Sequence, residues 1–464
     1  MPPPLVLINA VGLTPRLLSH APRLAKLAAG GWVSSVHEVA PAVTCTAQAT
    51  LLTGQPPSVH GVVANGWLFR DTMEVRFWQQ SNRLIQAEPL YVTAKRRAVA
   101  RGQTFTTAKL FWWFNQGAAV DLSVTPKPWY GADGNKAFGV SGTPPGRAEY
   151  LEGVFGRFPF QTFWGPLAGL PCSEWIAQCA EDFLRTELPA LTLVYLPHLD
   201  YEPQRHGPSG CNMPKLVGEL DAACAPLLDA AGQAGAQVWV VSEYGHRDVT
   251  TPVYPNRALR AAGLLAVRDG PFGEQLDTFG SRAFAVCDHQ HAHVYVADPA
   301  DVPRVRDTLA PLNGVGRVLA GDERGDLVHP RSGELVLESE PAAWFAYPFW
   351  LDDRRAPDYA RTVAIHAKPG FDPCELFFDP ALRFPKLRAA RRLLQKKLGF
   401  RTLFDVIPLD ASLVRGSHGL PAADPLDRPI LVGHGPDPGR DLPMTAVRDL
   451  VLSALRLPDE CPGG

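Results

Sequence analysis

The sequence lacks an excess of basic residues, since its formal net charge at pH 7 is −2 and its pI is about 6.7. General nucleic-acid-binding proteins usually carry a strong basic excess, so this balance argues against that class. The N-terminus, MPPPLVLINAVGL, has no basic segment and only a short apolar run, which is not the pattern of a signal peptide. No uncharged apolar run reaches the roughly 18 residues needed to span a bilayer, so we expect no membrane segment.

Paired cysteine motifs are also lacking. The eight cysteines are scattered and no two of them form a CxxC pair, which argues against a zinc ribbon or a thioredoxin-like motif. We predict reduced thiols in a cytoplasmic protein. The 45 prolines and 41 glycines are spread along the chain, a distribution that predicts long, shaped loops.

Continuous apolar runs alternate with helical patterns along much of the chain. Short apolar runs bounded by turn residues are typical of buried parallel strands, and they occur at 5–11, 191–197, 237–243 and 429–435. Helical patterns occur at 22–31, 44–54, 214–233, 256–263 and 444–457. This alternation predicts a doubly wound, mostly parallel α/β sheet with helices on both faces.

Two stretches depart from this alternation, and they divide the predicted core into three parts. An aromatic-rich stretch is expected to form an inserted cap, and a later irregular block holds one predicted strand (293–298) and a basic amphipathic helix (387–399). Most such helices present a solvated face. The predicted regions are 1–104 (core), 105–180 (cap), 181–282 (core), 283–400 (irregular block) and 401–464 (core).

Polar side chains cluster just after several predicted strands. Ligands bind at the carboxyl ends of the strands in open α/β sheets, so these positions are candidate site residues. Carboxylates and imidazoles that converge from separate strands suit a divalent transition metal such as zinc or manganese. The candidate ligands are Asn9, Asp200, His206, Glu243, His246 and His418.

The segment PAVTCTAQATLLTG (41–54), followed by QPPSVHGVVANGW (55–67), carries a family resemblance. It resembles the nucleophile segment of the type I phosphodiesterase/nucleotide pyrophosphatase branch of the alkaline phosphatase superfamily. That pattern has a threonine after a proline-bearing loop, a helix ending in T-G, then P-x-x-H-G and an asparagine. The VLIN…G strand, the D-Y…G-P loop, the S-E-Y-G segment and the S-H-G loop recur in the order of that superfamily, so the resemblance extends along the chain.

The resemblance implies that Thr44 is a covalent nucleophile and that Asn65 donates to a non-bridging phosphate oxygen. Elementary chemistry agrees, because a helix N-terminus favours an anionic phosphate and a nearby cation lowers the pKa of a hydroxyl. The alternative role for Thr44 is a helix N-cap.

The ligand positions of this sequence depart from the family pattern. Val11 stands where relatives carry an aspartate before the first-strand glycine. Gln204 stands where they carry a histidine four residues after Asp200. Glu243-Tyr244 replaces an Asp-His pair. Three possibilities remain open: a rebuilt two-metal site, a single-metal site, and a crevice that binds a phosphate ligand without catalysis.

Additional histidines and aromatic residues are candidates for substrate binding. His289 and His366 are predicted to approach the site as ligands or phosphate donors, with hydrogen bonding between lobes as the alternative. Lys109 is a cap cation that could meet a substrate phosphate. Trp112 and Trp113 could stack a base or belong to the core.

The predicted function is metal-dependent hydrolysis of a phosphodiester or pyrophosphate through a phosphothreonine intermediate. The cofactors would be one or two divalent ions, zinc or manganese, and the partner a small phosphorylated substrate, with a nucleotide as one candidate. The alternatives are carbon–phosphorus bond hydrolysis or phosphate transfer on the same scaffold, and a phosphate-binding protein without catalysis.

Overall fold

A nine-stranded, mostly parallel sheet forms the centre of the protein. The computed structural model describes residues 3–132, 136–400 and 402–458. Strands β1 (Leu5–Ala10) and β10 (Leu191–Leu196) are buried at every position, so both faces of the sheet are covered. The predicted α/β fold with a large, mostly parallel sheet is therefore confirmed.

The elements of the described residues are numbered in chain order. The strands are β1 (Leu5–Ala10), β2 (Trp32–His37), β3 (Gly66–Phe69), β4 (Glu74–Phe77), β5 (Thr107–Leu110), β6 (Leu122–Pro126), β7 (Trp129–Tyr130), β8 (Lys136–Ala137), β9 (Val140–Thr143), β10 (Leu191–Leu196), β11 (Gln237–Val241), β12 (Arg247–Asp248), β13 (Thr251–Val253), β14 (Ala266–Gly270), β15 (Gly273–Asp277), β16 (Ala283–Asp288), β17 (His291–Val296), β18 (Val315–Ala320), β19 (Leu335–Ser339), β20 (Ala343–Phe345), β21 (Gly416–Ser417), β22 (Ile430–Gly433) and β23 (Asp441–Pro443). The α-helices are α1 (Pro22–Ala29), α2 (Thr44–Thr53), α3 (Pro57–His60), α4 (Leu90–Ala100), α5 (Arg147–Phe155), α6 (Leu170–Thr186), α7 (His198–His206), α8 (Met213–Gln233), α9 (Pro255–Ala261), α10 (Val302–Leu309), α11 (Pro385–Lys397) and α12 (Val447–Ala454).

The central sheet has the strand order β23-β2-β22-β11-β1-β10-β5-β6-β9. Strand β1 pairs in parallel with β10 and β11, so the carboxyl ends of these three strands meet at one edge. Strand β22 runs antiparallel to both of its neighbours, β11 and β2. Its apolar run predicted a strand, but an apolar run carries no information about direction.

The stretch 105–180 contributes to the central sheet as well as to its surroundings. Strands β5, β6 and β9 all belong to the sheet, and helix α6 packs against α8. Aromatic residues of this stretch, including Phe111 and Trp175, lie in the main core. The strands escaped the sequence reading because β5 has only four residues, TAKL, and includes a lysine.

A second, antiparallel sheet lies within the block 283–400 and has the order β16-β17-β19-β18. The predicted strand at 293–298 corresponds to β17, which begins two residues earlier. Strands β16 and β17 form a hairpin whose turn residues are His289 and Gln290. His289 has a φ of 57°, a left-handed conformation that non-glycine residues seldom adopt.

Two further sequence expectations concern membranes and thiols. Among the described residues, no helix combines the length and apolar character needed to cross a bilayer. The cysteines of the described ranges are free thiols, namely Cys45, Cys172, Cys179, Cys211, Cys224, Cys287 and Cys374.

Candidate metal and nucleophile site

The candidate site lies where β1, β10 and β11 end. Asp200 is in the first turn of α7, directly after β10. Glu243, Tyr244 and His246 follow β11, and His418 follows the short strand β21. Parallel strands deliver their following loops to the same sheet edge, so residues far apart in sequence converge here.

Asp200, His246 and His418 form one compact cluster. Their ligand atoms all lie within 4.8 Å of one another. The His246 Nε2 is 3.0 Å from the Asp200 Oδ1, and the His418 Nε2 is 3.9 Å from the same oxygen. Two imidazoles and a carboxylate are the donor set of many zinc sites.

The hydrogen bond of His418 decides which of its nitrogens faces the cluster. Its Nδ1 is 2.8 Å from the carbonyl oxygen of Ala42. A carbonyl only accepts, so Nδ1 carries the proton and Nε2 presents a lone pair. That Nε2 is buried and has no hydrogen-bond partner. A backbone carbonyl in this role is the usual support of a metal-binding histidine.

Burial and neighbouring groups shift the pKa values of two members of the cluster, His418 and Asp200. Burial lowers the pKa of His418 well below its ordinary value, and the charge of His289 lowers it further. Burial alone would raise the pKa of Asp200, but the hydrogen bond from His246 and the charges of both imidazoles hold it below its ordinary value. Near neutral pH, His418 is therefore neutral and Asp200 is ionised.

Gly12, in the turn after β1, makes room for His246. It has a φ of +77°, and a Cβ on it would lie 3.0 Å from the His246 Cε1, 3.1 Å from its Nδ1 and 3.2 Å from the carbonyl oxygen of Leu199. The imidazole therefore packs against bare backbone at this position.

We expect Gly12→Ala to lower divalent-cation affinity by about tenfold or more, because a methyl group would displace His246 from Asp200. Isothermal titration calorimetry with Zn²⁺ or Mn²⁺ measures the change. Gly102→Ala is the matched control, since Gly102 also has a positive φ (+68°) but its Cβ would meet nothing within 4 Å. Equal affinity losses in both variants would attribute the effect to backbone strain.

Thr44 begins helix α2, after Val43 in extended conformation, and is almost fully buried. Its Oγ1 is 2.9 Å from the Tyr244 hydroxyl. The Tyr244 hydroxyl donates in turn to the Asp200 Oδ1 at 3.3 Å. Burial raises the pKa of Tyr244 well above its ordinary value, so the phenol keeps its proton. The Tyr244 oxygen is then the acceptor for the Thr44 hydroxyl.

Glu243 lies beside these hydrogen-bonded groups, and its carboxyl group is held by two side-chain amides. Its Oε1 accepts from the Asn9 Nδ2 at 2.5 Å and from the Gln48 Nε2 at 2.6 Å. Burial raises the pKa of Glu243 to about 8, against the lowering effect of these hydrogen bonds. At neutral pH this group is therefore mostly a neutral acid within an amide cluster.

We expect Glu243→Gln to flatten the pH dependence of stability in the metal-free protein. A raised folded-state pKa means that the free energy of unfolding falls as pH rises from about 4.5 to about 8, by an amount on the order of a few kcal/mol. Glutamine keeps the acceptor oxygen but cannot ionise. Urea unfolding at pH 5, 6.5 and 8 measures the slope, and the exposed Glu340→Gln is the control. An unchanged slope would place the titration elsewhere.

The side chain and backbone N–H of Asn65 are held by Cys45 and Asp288. Its Oδ1 accepts from the backbone N–H of Cys45 at 2.9 Å, in the first turn of α2. Asp288 accepts from the Asn65 backbone N–H at 2.7 Å and from its Nδ2 at 3.0 Å. An amide nitrogen carries two hydrogens, so one remains for a ligand. Burial raises the pKa of Asp288 to about 7.

His289 reaches the site from the tip of the β16–β17 hairpin. Its ring centroid is 3.6 Å from that of His418 and 4.0 Å from that of Phe371. The Tyr244 ring stacks on His418 at 3.6 Å with an interplanar angle of 6°. The rings of Tyr244, His418, His289 and Phe371 form a continuous stack in this order, and His418 is also a member of the cluster.

The other predicted site residues lie outside this arrangement. His206 ends α7 on the surface, with its Nε2 3.4 Å from the Glu202 carboxylate. The His366 Nδ1 lies 3.3 Å from the carbonyl oxygen of Phe77. Neither histidine is a member of the group Asp200, His246 and His418 that could share an ion.

The predicted cap residues are packing residues. Lys109 is fully buried and donates to the carbonyls of Trp113 and Phe114 at 2.9 and 3.0 Å, and burial lowers its pKa to about 7. Trp112 is fully buried in the main core. Trp113 packs in a smaller core against Trp78, with centroids 5.0 Å apart. The lysine therefore ties down a loop instead of facing a phosphate.

Sequence reasoning missed Gln48 and Phe371 as neighbours of the site. Gln48 had a readable signal, because it lies one helical turn after Thr44 on the same face of α2. Phe371 had no such signal, because its contact with His289 depends on tertiary packing between segments that are distant in sequence.

The fold, a large and mostly parallel sheet with helices on both faces, is that of the alkaline-phosphatase-like enzymes. The model of the type I phosphodiesterase/nucleotide pyrophosphatase family matches residues 5–372, and the chain belongs to this family. The predicted family membership is confirmed, and the chain is a phosphoric ester hydrolase of this family. In the described ranges, Asp200, His246 and His418 form a group that could hold a metal ion. No curated protein sequence matches it.

Solved structures show the same fold at low sequence identity. Murine ectonucleotide pyrophosphatase/phosphodiesterase 5 is 14% identical with a TM-score of 0.59, covering 100% of this chain and 97% of that one. An inactive variant of the murine protein, in complex with AMP, has the same values. Phosphonoacetate hydrolase from Sinorhizobium meliloti 1021, in complex with phosphonoformate, is 15% identical with a TM-score of 0.60, covering 98% and 96%.

Proposed function

We propose that the protein hydrolyses phosphodiester or pyrophosphate bonds of a small phosphorylated substrate, with Thr44 as nucleophile and one divalent cation. The observation that carries this proposal is the hydrogen-bonded chain from Thr44 through Tyr244 to Asp200, beside His246 and His418. It links a hydroxyl at a helix start directly to the metal-ligand cluster.

The residues fit a cation at Asp200, His246 and His418. The unpartnered Nε2 of His418 is a buried lone pair without a donor, and the neighbouring carboxylate supplies charge. Nitrogen and oxygen donors in this ratio suit zinc, and manganese is the second candidate. Bound there, a divalent ion would polarise a phosphoryl oxygen and offset charge in the transition state.

Thr44 is positioned by Tyr244. The phenol donates to Asp200 and accepts from the Thr44 hydroxyl, so a lone pair of the Thr44 Oγ1 points away from Tyr244. In the first step the Oγ1–phosphorus bond forms, the ester bond breaks, and the alcohol or phosphate group leaves with a proton. In the second step water cleaves the phosphothreonine and restores the hydroxyl.

The phosphate would be held by the start of α2 and by Asn65. Free N–H groups at a helix N-terminus attract an anion, and the spare Asn65 N–H adds a donor where negative charge develops. Asp288 fixes the direction of that amide, so it acts as a positioning residue.

A single cation follows from the groups that stand at the second ligand positions of the family pattern. Val11 is apolar, Tyr244 keeps its proton, and Glu243 is a neutral acid bonded to Asn9 and Gln48. In the described ranges, one group of three histidine, cysteine or carboxylate donors lies close enough to share an ion. One divalent charge suits a diester phosphate, which carries one negative charge, better than a monoester.

A substrate panel with metal analysis tests the function. Bis(p-nitrophenyl) phosphate, a nucleotide pyrophosphate and p-nitrophenyl phosphate distinguish diester, pyrophosphate and monoester hydrolysis. Phosphonoacetate covers the carbon–phosphorus alternative, because one structural relative is a phosphonoacetate hydrolase. We expect diester hydrolysis with one bound ion per chain. Two ions at saturation would overturn the single-cation proposal, and no turnover with any ester would favour a phosphate-binding protein.

We also propose a reducing compartment, the cytoplasm, as its location. The support is the set of free, mostly buried thiols in the described part of the chain. Thiol titration of protein isolated without reductant tests this, and disulfide-linked species would contradict it.

A further inference from the structure

Helix α11 (Pro385–Lys397) and the residues at its two ends present large apolar side chains to solvent. Phe384, Leu387, Leu394, Leu398 and Phe400 are between 57% and 67% exposed. Single exposed apolar residues are ordinary on protein surfaces, but five within seventeen residues form a patch. We call these five residues the α11 patch.

The apolar row points outward because the opposite face of α11 is attached to the protein. Positions 387, 394 and 398 share one helical face by their spacing. On the other side, Arg388 and Arg392 bond to the Asp405 carboxylate. An apolar row that faces water is unusual for a surface helix, whose apolar side ordinarily packs against the core.

The segment that carries the patch is basic in sequence. The segment 383–404 contains no aspartate or glutamate. Arg383, Lys386 and Arg391 are exposed beside the patch. The basic residues of the segment are Arg383, Lys386, Arg388, Arg391, Arg392, Lys396, Lys397 and Arg401.

We propose that the α11 patch and its basic border dock on the surface of an anionic phospholipid bilayer. Interfacial helices bury an apolar face at the headgroup boundary while lysine and arginine contact anionic lipids. A second copy of the chain is disfavoured as the occupant, because it would bring an equally basic helix against this one. The proposal is independent of the proposed function.

The docking surface is linked to the aromatic stack of the site through a small apolar core. Leu382, Ala389 and Phe404 pack against the small core that includes Cys374. Phe371, which lies on His289, precedes that cysteine by three residues. Docking would therefore anchor the segment that carries Phe371, next to the candidate site, at a membrane surface.

Vesicle co-sedimentation of the full chain tests the proposal. We expect binding to phosphatidylglycerol/phosphatidylcholine vesicles, weak binding to phosphatidylcholine alone, and loss of binding at high salt. Leu394→Gln with Leu398→Gln should lower the partition coefficient by about tenfold or more. Phe272→Gln with Phe279→Gln is the matched control, because these residues are 65% and 78% exposed and lie in the β14–β15 turn and just after β15.

Three results would overturn the proposal. They are no binding to anionic vesicles, an equal loss in the control variant, and concentration-dependent self-association of the wild type that the Leu394/Leu398 variant abolishes. Light scattering measures the last of these. Unchanged thermal unfolding of both variants verifies that the substitutions act on the surface alone.

Discussion

Replacing Thr44 by alanine is expected to lower kcat for diester hydrolysis by at least about 1,000-fold, because the covalent step loses its oxygen. Thr44 is the first residue of α2, and its Oγ1 bonds to the Tyr244 hydroxyl and not to the helix backbone. Loss of the Thr44 hydroxyl should therefore leave the helix intact. Initial rates and mass spectrometry of the acid-quenched enzyme measure turnover and the phosphothreonine.

Two further variants serve as comparisons for Thr44→Ala. Thr46→Ala removes a hydroxyl from the same buried helix, but from a residue whose Oγ1 has no hydrogen-bond partner, and it should keep activity within a few-fold. Thr44→Ser keeps the nucleophilic oxygen and should retain part of the rate. If Thr44→Ala hydrolysed the diester as fast as Thr46→Ala, the nucleophile would have to be another group.

Replacing Asp200 by asparagine is expected to lower cation affinity by well over 100-fold, since the cluster loses its only formal negative charge. Excess Zn²⁺ or Mn²⁺ should stabilise the wild type by about 3–4 kcal/mol at 100 to 1,000 times the dissociation constant, and this stabilisation should vanish in the variant. Thermal unfolding with and without metal measures it, with metal content after dialysis as a second readout.

His206→Ala is the matched control for that experiment. This histidine lies on the same helix as Asp200 but is exposed and outside the cluster, so its removal should leave the metal-dependent stabilisation unchanged. Chelation should inactivate the wild type. Equal stabilisation of the Asp200→Asn protein by either metal would place the ion at a different site.

The sequence predicts the sheet edge of the site well, because local rules govern it. The runs of β1, β10 and β11 are continuously apolar, and the polar residues after each strand are readable in order. Asp200, His246 and His418 were among the candidates for this reason. The unforeseen strands are short or polar, such as TAKL, so no periodicity distinguished them.

Side-chain direction and docking were beyond sequence patterns. Glu243 and His246 are three residues apart, yet one bonds to Asn9 and Gln48 and the other to Asp200. That division depends on the turn after β11 and on the room beside Gly12. Residue type does not reveal burial, which is a tertiary property. The sequence therefore suggested Trp112 and Lys109 as ligand-facing residues, although both are buried.

The hairpin between β16 and β17 couples the second, antiparallel sheet to two residues of the candidate site. One tight turn touches both Asn65, through Asp288, and His418, through His289. A displacement of this turn would therefore move the partners of Asn65 and His418 together.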